Sequence, residues 1–147
     1  MIIPEFLKDG DRIGVFAPSA GIIEETDLRR FDNARRRLES MGHRTVALPS
    51  TFMCDADGRS SPAEQRVVEY GELLRDSDVR AIFAISGGDY ECEMLPLMDW
   101  DAVEADPKWF QGYSDNTVLL FKITAEHDIA TVYSGNYNDF GMEPLHR

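Results

Sequence analysis

Positive charge is scarce in this chain. Of 147 residues, 15 are Lys or Arg against 27 Asp or Glu, a net charge of −12. An excess of that sign repels phosphate backbones and anionic lipid, so neither nucleic acid nor a membrane surface is expected as a partner. No apolar run approaches the roughly 20 residues of a membrane span. The start, MIIPEFLKDGDR, has no basic segment followed by an apolar one, so it does not read as a secretory signal. Cysteine is nearly missing: Cys54 and Cys92 cannot form a C-x-x-C site and read as free thiols of a cytoplasmic protein. Histidine is limited to His43, His127 and His146. Internal repeats and low-complexity segments are absent. The remaining composition, 43% apolar and 29% charged, is that of one ordinary globular domain.

Strand and helix signals alternate along this chain. Apolar runs at Arg12–Ala17, Thr45–Leu48, Val79–Ile85, Lys108–Gly112 and Ile129–Tyr133 predict five strands. Between the first two, Leu28, Phe31, Ala34, Leu38 and Met41 recur at helical spacing and predict a helix from about Glu24 to Met41, closed by Gly42. Ser61-Pro62-Ala63-Glu64 has the pattern of a capping box with Pro at the first helical position, opening a helix to about Leu74. Short helices are expected at Glu91–Leu95 and Asp101–Ala105, and a longer one at Asp115–Glu126. Strands separated by helices imply a parallel sheet with helices on both faces, an α/β three-layer domain of the flavodoxin-like or Rossmann-like kind. Ligands of such sheets sit at the carboxyl ends of the strands. Three loops fall there: Pro18–Gly21, Ser86–Asp89 and Gly112–Asn116.

Gly112-Tyr113-Ser114-Asp115 lies between a strand and a helix, where a nucleophile elbow belongs. Asn116 stands where the second glycine of G-x-S-x-G would be. The same residues also suit a plain helix cap at Ser114 or Asp115. Gly87-Gly88 could offer backbone N–H groups to an anion or simply make a tight turn. It fits neither a Walker loop nor G-x-G-x-x-G, so nucleotide binding has no motif behind it. Asp89, Glu91 and Glu93 crowd the sheet mouth, as a solvated face or as substrate contacts. A serine nucleophile needs a base. His127 lies 13 positions after Ser114, about 20 Å along a helix. His43 falls at the opposite edge of the sheet, and His146 lies in a tail without pattern. None is well placed.

At these loops the chain resembles the N-terminal half of the LD-carboxypeptidase family, serine peptidases that also include microcin C self-immunity hydrolases. The matching stretches are Gly10–Ser19, Gly87-Gly88 with Met94–Asp99, and Gly112–Thr117, in the same order and separation. The resemblance implies that Ser114 is the nucleophile, with the backbone N–H groups of Asp115 and of Gly87 or Gly88 as the oxyanion hole. Asp89 and Tyr113 are the candidate substrate contacts. It implies no metal and no cofactor, a cytoplasmic enzyme, a homodimer in its full-length form, and a small peptide or muropeptide-like substrate cleaved before a terminal D-amino acid. Inactivation of aminoacyl-nucleotide toxins of the microcin C kind is one alternative; a non-catalytic ligand- or partner-binding domain is another. Family members are about twice as long, and their C-terminal domain supplies the His and Glu of the triad. Residues 1–133 would then be the α/β domain and 134–147 the start of a linker, with the C-terminal domain absent. On that reading the isolated chain is inactive and exposes Tyr133, Tyr137, Phe140, Met142 and Leu145. Two departures stand out: Glu93 replaces a commonly basic residue, and Ser134-Gly135-Asn136 replaces a Tyr-Gly-Pro-like strand end. Asn116-Thr117 and the Phe140–Pro144 tail lean towards the microcin-immunity branch.

Overall fold

The computed structural model describes residues 1–143. Five parallel strands form one sheet in the order β2-β1-β3-β4-β5. They are β1 (Arg12–Phe16), β2 (Arg44–Ala47), β3 (Val79–Ala84), β4 (Trp109–Gly112) and β5 (Val132–Tyr133). The helices are α1 (Glu25–Ser40), α2 (Ala63–Arg75), α3 (Trp100–Ala105) and α4 (Thr117–His127). Side chains alternate across the central strands. Ile13, Val15, Ala81 and Phe83 pack towards α1 with Phe31, Ala34 and Leu38. Phe16, Ile82 and Ala84 pack on the other face with Tyr70 and Leu73 of α2 and Leu119 and Ile123 of α4. The sheet is buried on both sides, as all-parallel sheets require. Strand order reverses between β1 and β3, so the ligand crevice of this topology opens at the loops after those two strands. Among the described residues no helix is long and apolar enough to cross a membrane.

Several local expectations are corrected. In α1 only Phe31, Ala34 and Leu38 are buried; Leu28 and Met41 are exposed, because the apolar stripe is narrower than its spacing suggests. The Ser61 capping box does not form. Pro62 is the N-cap of α2, and the Ser61 hydroxyl is buried without a partner. The fifth strand shortens to Val132–Tyr133, since Asp128 turns left-handed (φ 55°) and Ile129 pairs instead with Ile2 of the N-terminal segment.

The described part of the tail, to Glu143, has a structure of its own. Asn136 and Asp139 form a capping box that starts a 3-10 turn, Tyr137–Gly141. This turn lies against α1, with Tyr137 fully buried beside Phe31 and Phe83. Tyr137 therefore belongs to the core, and Phe140 packs against it, whereas Tyr133 is 68% exposed. Burying the Tyr137 ring contributes on the order of 2 kcal/mol. Leu145 and His146 lie outside the described residues.

Candidate active site

Ser114 follows β4 after Tyr113, at the carboxyl edge of the sheet. Its φ is +63°, one of two positive values among the described non-glycine residues. A left-handed L-residue costs on the order of 1–2 kcal/mol, so the surrounding structure must hold it there. Neither Ser114 nor Asp115 caps the helix that follows. The 3-10 turn Ser114–Asn116 and α4 both start without a side-chain cap, and the Asp115 carboxylate instead accepts the Glu91 N–H at 2.9 Å. The Ser114 side chain is solvent-exposed. This is the geometry of a nucleophile elbow.

Asn116 holds the elbow from beneath. Fully buried, its amide nitrogen donates to Ser86 O (2.9 Å), Tyr113 O (3.1 Å) and Asn136 Oδ1 (3.0 Å). Asn136 Oδ1 also accepts the Tyr113 N–H at 3.1 Å. The residue that breaks the G-x-S-x-G pattern is thus the one that ties the elbow to the loop after β3 and to the tail.

The Gly87 backbone faces Ser114. A β-carbon at residue 87 would lie 3.2 Å from Ser114 Oγ and 3.8 Å from the Asp115 nitrogen. The space between the turn and the serine exists because residue 87 has no side chain. Ser114 Oγ is therefore within about 5 Å of the Gly87 backbone, given a Cα–Cβ bond of about 1.5 Å. Gly88 has φ +153°, and a β-carbon there would come within 2.2 Å of Ser19 Oγ. Only glycine fits both that backbone and that space. Among the described residues, no hydrogen bond engages the N–H of Gly87 or Gly88. Both remain available as donors.

The loops after β1 and β3 are fastened to each other. Ala20 N donates to Gly87 O at 3.2 Å, Ser86 Oγ to Ala20 O at 2.7 Å, and Tyr90 N to Ser19 Oγ at 2.9 Å. Arg66 of α2 is completely buried and donates to Pro18 O (2.6 Å), Tyr90 O (2.9 Å) and Glu93 (2.5 Å). Glu93 also takes Arg59 Nε at 3.0 Å. Burial works against charging Glu93, but these guanidinium hydrogen bonds hold its carboxyl below the usual range. Glu93 thus serves as the counter-ion of two arginines that the chain brings to the crevice.

Glu91 differs from its neighbours. Asp89 is exposed, but Glu91 has no exposed surface at all. The reading of these carboxylates as one solvated face is therefore wrong for Glu91. Its Oε2 accepts the Leu119 N–H at 3.0 Å, and its Oε1 is buried without a partner. Burial pushes this carboxyl up to about 8, the Leu119 N–H opposes, the Asp115 charge adds to the rise and Arg66 opposes.

Two clefts adjoin the elbow, of about 430 and 200 Å³. Tyr113, Asp139 and Arg30 line both, and Asp89 lines neither. A larger cleft, about 550 Å³, lies between α1 and the tail and contains no elbow residue. The structure thus brings together Ser114, Asp115, Gly87 and Tyr113, while Asp89, like Ser114, lines neither cleft. Among the described residues, no histidine joins them. His127 ends α4, stacked on Trp100 and bonded to Glu104 at 2.7 Å, and His43 precedes β2 at the opposite edge. Among the described residues, no group of His, Cys, Asp and Glu could hold a metal ion. Sequence reasoning passed over Arg66 and met Asn136 only as part of the departure Ser134-Gly135-Asn136. The one available signal was the pair of turn-forming residues at Asn136 and Asp139.

Known proteins resemble this chain over most of its length. The LD-carboxypeptidase N-terminal domain matches residues 13–134. A Vibrio cholerae protein named as a carboxypeptidase is 35% identical over 90% of this chain and 39% of its own length. The microcin C7 self-immunity protein MccF of Escherichia coli is 36% identical over 86% of this chain and 36% of its own. A Bacillus subtilis protein named probable murein peptide carboxypeptidase is 27% identical, over 97% and 44%. MccF solved in complex with aspartyl sulfamoyl adenosine superposes with a TM-score of 0.87 at 35% identity, over 97% of this chain and 42% of that one. The chain therefore spans about two fifths of the length of these relatives. With the family model and the fold in agreement, the chain belongs to the LD-carboxypeptidase family, whose N-terminal domain it carries over residues 13–134.

Proposed function

We propose that Ser114 is the nucleophile of an acyl-transfer hydrolase, and that Asp115 N–H and an N–H of the Gly87-Gly88 turn receive the oxyanion. The observation that carries this reading is Ser114 itself: a left-handed residue at the carboxyl edge of the sheet, with an exposed hydroxyl facing a glycine backbone. In the reaction Ser114 Oγ bonds to the acyl carbon and the carbonyl oxygen becomes an oxyanion. A base takes the serine proton and returns it to the leaving amine, and water then releases the acyl group. Among the described residues, no histidine near Ser114 can serve as that base. In a protein of the relatives' length, a C-terminal domain would supply a His and a Glu.

Two substrate classes follow from the relatives: a muropeptide ending in a D-amino acid, and an aminoacyl nucleotide. Both are anionic. Arg30, paired to Asp27 at 3.4 Å, is the single cation lining either cleft among the described residues.

A fluorophosphonate probe with mass-spectrometric mapping tests the nucleophile. Slow labelling at Ser114 is expected in the folded chain and not in the Ser114→Ala variant or in urea. Labelling that persists in Ser114→Ala, or is equal in urea, would refute the assignment. The 147-residue chain should turn over neither substrate at an enzymatic rate. Calorimetry with an L,D-linked tetrapeptide and with aspartyl sulfamoyl adenosine separates the two classes by which one binds.

A further inference from the structure

An α-helix begins with N–H groups that its own turns cannot satisfy, and the N-cap side chain commonly takes one of them. In α4 that residue is Asn116, which makes no cap: its amide nitrogen donates to Ser86, Tyr113 and Asn136, and its Oδ1 accepts no helix N–H. The first turn of α4 must therefore be held from elsewhere. Glu91, in the 3-10 turn Glu91–Leu97 that follows β3, reaches across. Its Oε2 accepts the Leu119 N–H at 3.0 Å, and its own backbone N–H donates to Asp115 Oδ2 at 2.9 Å.

We propose that Glu91 is the positioning residue of the Ser114 elbow, a cap supplied in trans that fixes α4 through Leu119 and fixes Asp115 through its backbone. This rests on the hydrolase reading only in so far as the elbow it holds is catalytic. The Asp115 N–H, offered above as an oxyanion donor, belongs to the peptide joining Ser114 to a residue that Glu91 grips. Glu91 acts through that peptide and does not touch the reacting atoms. The groups facing it are Asp115 on the elbow and Arg66 and Tyr70 on α2. A partnerless, fully buried Oε1 suits a carboxyl that keeps its proton at neutral pH and loses it on mild alkalinisation. Ionisation would place Glu91 against the Asp115 carboxylate while the nearby Arg66 guanidinium is already paired to Glu93.

The test is ¹⁵N NMR on the 147-residue chain from pH 6 to 9.5, joined to fluorophosphonate labelling. The amide signals of Leu119 and Asp115 should move together with a midpoint near 8. They should cease to do so in Glu91→Gln, which keeps an acceptor for Leu119 but has no proton to lose. The exposed Cys92 thiol is present in both proteins, so any movement that survives the substitution is not that of Glu91. In Glu91→Ala, exchange of the Leu119 amide should quicken at least tenfold and labelling of Ser114 should slow at least tenfold, with Glu91→Gln close to wild type in both at pH 7. A Leu119 or Asp115 signal that does not titrate, or titrates unchanged in Glu91→Gln, overturns the proposal. So does equal Ser114 labelling in wild type and Glu91→Ala. Should the wild-type chain take no label at all, the hydrolase reading fails, and the amide signals alone still decide whether Glu91 holds the elbow.

Discussion

Replacing Gly88 and Gly87 in turn by Ala separates backbone strain from occupancy of the site. At Gly88 the new residue would sit at φ +153°, where an L-residue costs on the order of 1–3 kcal/mol. Its β-carbon would also lie 2.2 Å from Ser19 Oγ and 3.1 Å from Ala20 N. Ser19 is fully buried and its hydroxyl holds the Tyr90 N–H, so pushing it aside breaks a buried hydrogen bond, about 1–2 kcal/mol more. Together Gly88→Ala should cost about 2–5 kcal/mol. For a domain of this size that lowers the Tm by roughly 6–15 °C. At Gly87 φ is not positive, and the new methyl would meet only the exposed Ser114 side chain, at 3.1 and 3.2 Å. A few tenths of an ångström of movement relieves that contact, so Gly87→Ala should stay within about 1 kcal/mol of wild type. It nevertheless fills the gap between Gly87 and Ser114, and probe labelling of Ser114 should fall at least tenfold. Urea and thermal unfolding, followed by the fluorescence of Trp100 and Trp109, measure the first effect and mass spectrometry the second. Equal stability of the two variants would refute the geometry of the turn. Undiminished labelling in a folded Gly87→Ala would refute the placing of the oxyanion beside Gly87.

The stability of the fold should also depend on pH through Glu91. Its carboxyl is raised from 4.5 to about 8, so between those values the folded chain holds a proton that the unfolded chain has released. The contribution is complete below about 4.5 and is lost as pH rises through 8, an upper bound of about 5 kcal/mol. Urea unfolding at pH 5 and pH 8 should therefore show Glu91→Gln gaining on wild type at the higher pH; a constant difference between them would contradict the buried carboxyl. Asn116→Ala should cost about 2–4 kcal/mol, because Ser86 O, Tyr113 O and Asn136 Oδ1 all lose the same donor. A loss under 1 kcal/mol by urea unfolding would mean that the elbow does not depend on that amide.

Much of the architecture was legible in the sequence because it rests on local periodicity. The five apolar runs, the helical spacing of Phe31, Ala34 and Leu38, and the glycines after the strands each act over a few residues. Alternation of strand and helix then leaves little choice but a parallel sheet, and a parallel sheet places the loops after its strands at one edge. The position of Ser114 at that edge follows from the chain alone. The partners that hold it do not. Asn116 reaches Asn136 over 20 residues, Arg66 reaches Pro18 over 48, and Glu91 reaches Leu119 over 28. No local pattern reports such a pairing, because the distance along the chain carries no information about the distance in space. For the same reason Glu91 and Asp89 look alike in sequence and are opposite in structure. Whether a carboxylate is solvated or buried depends on what packs over it, and over Glu91 that is the first turn of α4. The tail is the other case. Tyr137 has no periodic neighbours, and its burial depends on the groove that α1 and β3 form only once the sheet is assembled.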